Sequence, residues 1–181
     1  MVNQIVIVGF MGAGKTTVAN EVANRLGFLA VDLDDRITQD HGRSPGQLIE
    51  DQTEPAFREI ETATLRTVLA EDDAHVVALG GGAWTIAENR KLIAEHKAFT
   101  VWLDAPFELC WKRIEKGSET RPLAPTREAA EELYYKRCPI YELAAARIPI
   151  TEFDNAEDIA NKILDQRSRV LRRKTLNEVL S

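Results

Sequence analysis

Residues 9–16 read Gly9-Phe10-Met11-Gly12-Ala13-Gly14-Lys15-Thr16, which fits the pattern G-x-x-x-x-G-K-[ST]. Both flanks have the composition this loop needs. Ile5-Val6-Ile7-Val8 is an unbroken apolar run that reads as a buried strand entering the loop, and Val18, Val22 and Leu26 beyond it recur at helical spacing. Glycines let backbone N–H groups close around phosphate oxygens, and the N-terminus of the following helix adds the positive end of its dipole. Lys15 would reach the β- and γ-phosphates of a nucleoside triphosphate as a point charge, while the Thr16 hydroxyl would ligate Mg²⁺. Gly12, Ala13, Gly14 and Thr17 complete the expected cradle. The alternative is a glycine turn that merely joins strand to helix; the order of strand, loop, Lys-Thr and helix speaks against it.

Working outward, strand and helix patterns alternate along the chain. Strands are expected at 4–8, 29–32, 75–79, 99–103 and 147–150, with helices at about 15–26, 34–41, 54–70, 86–95, 106–115, 127–144 and 156–178. Alternation of this kind implies an α/β protein: a five-stranded, mostly parallel sheet covered by helices on both faces. Ligands of such sheets bind beyond the C-terminal ends of the strands. That rule gathers the phosphate loop, Asp32-Leu33-Asp34, Gly80-Gly81-Gly82 and Asp104 on one rim. The polar segment at about 116–127 carries two prolines and a glycine and reads as a lid loop.

Composition narrows the function classes. The chain has 181 residues, enough for one domain with a substantial core, and its 44 % hydrophobic and 29 % charged content is ordinary for a globular protein. A formal net charge of −6 argues against nucleic acid as the main partner. The basic cluster Arg167, Arg169, Arg172, Arg173 and Lys174 reads as a solvated end of the last helix, at about 156–180, more readily than as a polyanion site. Cys110 and Cys138 are too few and too far apart in sequence for a disulfide framework, which suits reduced thiols in a cytoplasm. No signal-peptide pattern and no apolar run of membrane-spanning length is visible. His41, His75 and His96 lack ligand spacing, and Trp84, Trp102 and Trp111 are expected to pack or line rather than to stack on single-stranded nucleic acid.

The remaining candidates carry two readings each. Asp32 and Asp34 alternate around Leu33, so on an extended strand end both carboxylates would face one site; either could instead cap the helix that follows. Gly80-Gly81-Gly82 suits a place where backbone approaches a ligand closely, or forms an unusual turn. Arg58 and Glu61 stand three apart on one helix face, which fits an intrahelical ion pair first and a carboxylate-binding arginine second. Arg121 in the lid loop could close over a triphosphate, although loop arginines are mostly just solvated. Arg137 comes late in the helix that Pro139 should kink or end.

Together these pieces resemble the shikimate kinases, small P-loop phosphotransferases of the nucleoside-monophosphate-kinase type. The matching segments are GFMGAGKTT, VDLD, GRS at 42–44, FREIE at 57–61, LGGGA at 79–83, RPL at 121–123 and RCPIY at 137–141, in family order from residue 1 to about 155. The resemblance implies a three-layer P-loop fold with a lid, a substrate-binding segment at about 33–61, and transfer of the ATP γ-phosphoryl to the 3-hydroxyl of shikimate in aromatic amino-acid biosynthesis. It implies that Lys15 and Thr16 serve ATP and Mg²⁺, with Asp32 holding the metal through water. Asp34 would contact the acceptor hydroxyl as base or orienter. Arg58 and Arg137 would grip the acceptor carboxylate, Glu61 would fix Arg58, and Gly80, Gly81 and Gly82 would line the pocket. Arg121 would reach the phosphates from the lid, Arg113 would lie against the adenine, and the stretch 151–155 would face it.

A cytoplasmic monomer acting on a small molecule, without nucleic acid or membrane, is the resulting expectation. Three departures from the family pattern bear on the acceptor: a lid a few residues short, Ile49 where an aromatic is common, and Trp84 where a smaller residue is usual. A related kinase of gluconate or quinate is the alternative within this class. A nucleotide-binding regulatory module without transfer activity is the alternative outside it.

Overall fold

The computed structural model describes residues 4–71, 74–117 and 122–179. Four-residue apolar runs seed the centre. Strand β1 (Ile5–Val8) is fully buried, and it pairs in parallel with β3 (Ala74–Ala78) on one side and β4 (Phe99–Asp104) on the other. β2 (Leu29–Asp32) and β5 (Ala146–Pro149) close the edges, giving a five-stranded parallel sheet in the order β2-β3-β1-β4-β5. Burial on both faces explains why β1 is continuously apolar, and an edge position explains why β5 alternates buried and exposed residues.

Helices cover both faces of the sheet. α1 (Lys15–Leu26) packs on β2, β3 and α8 (Ala156–Val179); α4 (Glu54–Ala70) packs on α2 (Leu33–His41), α3 (Pro45–Asp51) and α5 (Ala87–Glu95). α7 (Arg127–Tyr141) packs on α6 (Phe107–Ile114) and on a 3-10 turn at Ala83–Thr85. Local caps set the helix starts. Ser44 and Gln47 form a reciprocal capping box with Pro45 at the first helical position, Thr53 caps α4, and Thr126 caps α7.

All five expected strands form, within a residue or two at each end. Three differences have clear causes. α3 and the 3-10 turn are additional; the S-P-x-Q signature of a helix start at 44–47 was the available signal for the first of them. α7 ends at Tyr141, not at 144, two residues beyond Pro139, whose ring removes one internal N–H donor. Asp34 lies in the first turn of α2 and not on an extended strand end. Asp32 is the N-cap, and its carboxylate accepts from the Asp34 N–H at 2.9 Å. Arg121 and the other residues at 118–121 of the expected lid lie outside the described residues.

Candidate active site

The central strand delivers the phosphate loop to the C-terminal rim of the sheet. Gly12 (φ 77°) and Gly14 (φ 92°) both adopt the left-handed region, which turns the chain tightly enough to start α1 at Lys15. A methyl group on Gly12 would come 2.6 Å from the Cys110 carbonyl oxygen of α6. Gly12→Ala should therefore combine backbone strain of about 1–2 kcal/mol with a clash against backbone. We expect a lower melting temperature and an ATP KM raised by at least about tenfold. A variant matching the parent in both would show that the loop does not need this close approach.

Around this loop lies a cavity of about 760 Å³, lined by Gly12, Gly14, Lys15, Thr16, Thr17, Asp32, Asp34, Arg58, Glu61, Gly80, Gly81, Gly82, Arg113 and Arg137. A volume of that size suits a nucleotide together with a small acceptor. Ala13 of the expected cradle is buried beneath it, and its N–H donates to Phe10 O at 3.2 Å. Asp35 and Thr38 of α2 and Pro45 and Gly46 of α3 also line the cavity; sequence reading missed the second pair because α3 was missed, and the first because nothing in their spacing marks them. Ile49 and Trp84, expected to reshape the acceptor pocket, are not among the lining residues.

The cavity has two chemically distinct halves. In the first, the Lys15 ammonium donates to Phe10 O at 3.1 Å, and the Thr16 hydroxyl donates to the Asp32 carboxylate at 2.5 Å. A hydroxyl beside a carboxylate at a phosphate loop is an oxygen-only donor set, which fits Mg²⁺ shared with phosphate oxygens. Arg113 reaches across from α6, its guanidinium donating to Gly12 O at 3.0 Å, so it braces the phosphate loop.

In the second half, missing side chains make room for charged ones. Methyl groups on Gly80, Gly81 and Gly82 would meet Asp34 Oδ1 at 2.5 Å, Arg137 Nη1 at 3.6 Å and Arg58 Cζ at 2.7 Å. Four ionisable residues thus lie directly against the glycine loop: Asp34, Glu61, Arg58 and Arg137. Arg58 donates to Glu61 at 2.8 Å and to Glu54 at 2.9 Å. The ion pair read from the i, i+3 spacing is therefore present, and it faces the cavity rather than open solvent. Glu61 is only 1 % exposed and Arg137 only 6 %.

Burial shapes the electrostatics. Desolvation raises the Asp34 carboxyl to about 7, assisted by Asp32 and Glu61, while Lys15 and Arg58 oppose the rise. Burial also pushes the Glu61 carboxyl up, against the pull of Arg58 and Arg137. Burial disfavours the Arg58 charge, and Glu61 and Glu54 more than offset that cost. A carboxyl poised near neutrality at the wall of this cavity is suited to accepting a proton.

Comparison with known proteins identifies the family. The shikimate kinase family model matches residues 11–168. A shikimate kinase of Persephonella marina is 37 % identical over 161 residues, covering 88 % of this chain and 96 % of that protein. The solved structure of shikimate kinase from Acinetobacter baumannii in complex with shikimate superimposes with a TM-score of 0.85 at 34 % identity, covering 96 % of each chain. A gluconokinase from Sinorhizobium meliloti 1021 shares the fold alone, with a TM-score of 0.70 at 15 % identity. The phosphate loop, the carboxylates beside it and the extent of these matches lead to one conclusion: the chain belongs to the shikimate kinase family.

Proposed function

We propose that this enzyme transfers the γ-phosphoryl group of ATP to the 3-hydroxyl of shikimate, with Mg²⁺, as a cytoplasmic monomer. The observation that carries this reading is the pair Arg58 and Arg137 set against one glycine loop beside Asp34, all in the cavity that the phosphate loop opens into. Two arginines suit a carboxylate, and an adjacent carboxyl suits the hydroxyl that reacts.

The acceptor oxygen attacks the γ-phosphorus, the bond to the ADP oxygen breaks, and the hydroxyl proton passes to Asp34. Lys15 stabilises charge on the transferring group, and Arg121 joins it from the lid. Thr16 and Asp32 would hold Mg²⁺, which neutralises phosphate charge when bound. Arg58 and Arg137 orient the acceptor; Glu61 holds Arg58 in place. Among the described residues no helix is long and apolar enough to cross a membrane.

Coupled ADP release with Mg·ATP tests the reading, comparing shikimate, quinate, gluconate and no acceptor. Turnover that depends on shikimate supports it. A signal with gluconate or quinate alone moves the acceptor, and silence with all of them sinks the transfer reaction. Arg137→Ala separates the two substrates. Loss of a charge-assisted contact should raise the shikimate KM by about 30- to 100-fold while the ATP KM stays within about threefold. Equal effects on both would refute the carboxylate role.

A further inference from the structure

Two walls of the acceptor half come from separate parts of the chain, and among the described residues no backbone hydrogen bond joins them. One wall is the glycine loop with its 3-10 turn; the other is the last turn of α7, which follows Arg137. Two side chains tie them in opposite directions. The indole Nε1–H of Trp84 donates to Ile140 O at 2.9 Å, and the Tyr141 hydroxyl donates to Gly81 O at 2.5 Å. Trp84 is 4 % exposed and Tyr141 1 %, so neither bond is diluted by solvent.

This last turn of α7 has reason to need a tether. Pro139 removes one internal donor from it, and Ile140 O, in the final turn, takes backbone bonds from the cap N–H of Glu142 and, in 3-10 fashion, from Leu143 N at 3.2 Å, not the i+4 bond of a continuing helix. The other end of the tether is anchored. Asn89, fully buried, donates to Ala83 O at 3.0 Å; Arg90 donates to Trp84 O at 2.7 Å; and the Thr85 hydroxyl donates to Gly82 O at 2.7 Å. The turn that carries Trp84 is thus fixed to α5, and Trp84 passes that fixity across to α7.

We propose that Trp84 is a positioning residue: its bond to Ile140 O holds the end of α7, and with it Arg137, in register with the glycine loop and Arg58. The inference rests on the reading that Arg58 and Arg137 share the acceptor carboxylate. Recognition by two arginines depends on their spacing to a fraction of an ångström, so a loosened α7 end weakens acceptor binding before it affects ATP. Trp84 does this without lining the cavity, which gives the bulky residue after the glycines a use other than reshaping the acceptor pocket.

The direct test replaces Trp84 by benzothienylalanine, which keeps the two-ring shape and puts sulfur where the N–H stands. The shikimate KM should rise about fivefold, the worth of one neutral hydrogen bond, with kcat and the ATP KM within about twofold. Hydrogen exchange of residues 80–85 and 137–141 should speed up in both segments together. A lower melting temperature with unchanged KM values would overturn the proposal and leave Trp84 as packing alone. So would equal changes in both KM values. Absence of shikimate-dependent turnover in the unaltered enzyme would instead sink the substrate reading. The tether then stands or falls on exchange, and unchanged protection of the two segments overturns it.

Discussion

Lys15→Met should lower shikimate-dependent turnover by about 10³-fold, the scale seen when a preorganised electrostatic contact to a transition state is removed. Methionine keeps most of the length and apolar stem of the side chain, so what is lost is the positive charge. That charge donates to Phe10 O at 3.1 Å, a contact within the phosphate loop itself and not one between packed elements of the core. The melting temperature should therefore stay within a few degrees of the parent. Because charge builds up on the transferring group during the reaction, kcat should fall more than ATP binding. Coupled ADP release together with a direct measurement of ATP binding reads both. Activity within tenfold of the parent would show that the loop cradles something other than a reacting triphosphate.

Asp34→Asn is the second large effect. Removing a positioned general base costs about 10²–10⁴-fold. Asparagine matches aspartate in size and still hydrogen-bonds, yet it cannot take the acceptor proton. Turnover should collapse while ATP affinity persists, since Lys15, Thr16 and Asp32 are untouched. The substitution should also raise the melting temperature of the nucleotide-free protein. Asp34 is half-buried beside Asp32 and Glu61, so the parent holds a carboxyl where desolvation and like charge both disfavour its ionised form. Lost activity with gained stability is the expected signature of a group kept for chemistry. Retention of more than a tenth of the parent activity would rule out Asp34 as the base.

Much of this site was legible in the chain because its determinants are local. The phosphate loop announces itself by glycines at fixed offsets before Lys15, and the strands announce themselves by short β-branched runs. Gly80-Gly81-Gly82 closely follows a strand, and that order along the chain is enough to place it on the rim. The use made of these glycines was not legible: Gly80 and Gly82 leave room for charged side chains from other elements, Asp34 of α2 and Arg58 of α4, while Gly81 lies in ordinary contact with Arg137 of α7. Asp32 and Asp34 show a partial success. Both readings of that pair hold in part, because Asp32 caps α2 and also meets Thr16, while Asp34 reaches the same cavity from the helix and not from a strand.

By itself, the sequence determined the parallel α/β sheet, the phosphate loop on its central strand, and the acidic and basic residues that surround the cavity. The sheet and the loop follow from periodicity and turn chemistry, which act over a few residues and leave their mark in composition. Arg58, Glu61 and Arg137 were placed at the site by the resemblance to the shikimate kinases, since their spacing alone favours an ion pair and a helix-end charge. The tertiary structure alone decided what Trp84 does, where α7 ends in relation to the glycine loop, and how far burial moves Asp34. The bonds from Trp84 to Ile140 and from Tyr141 to Gly81 span 56 and 60 residues of chain. Such contacts depend on how finished elements pack, and desolvation depends on everything that packs around a group, so no local pattern encodes either one.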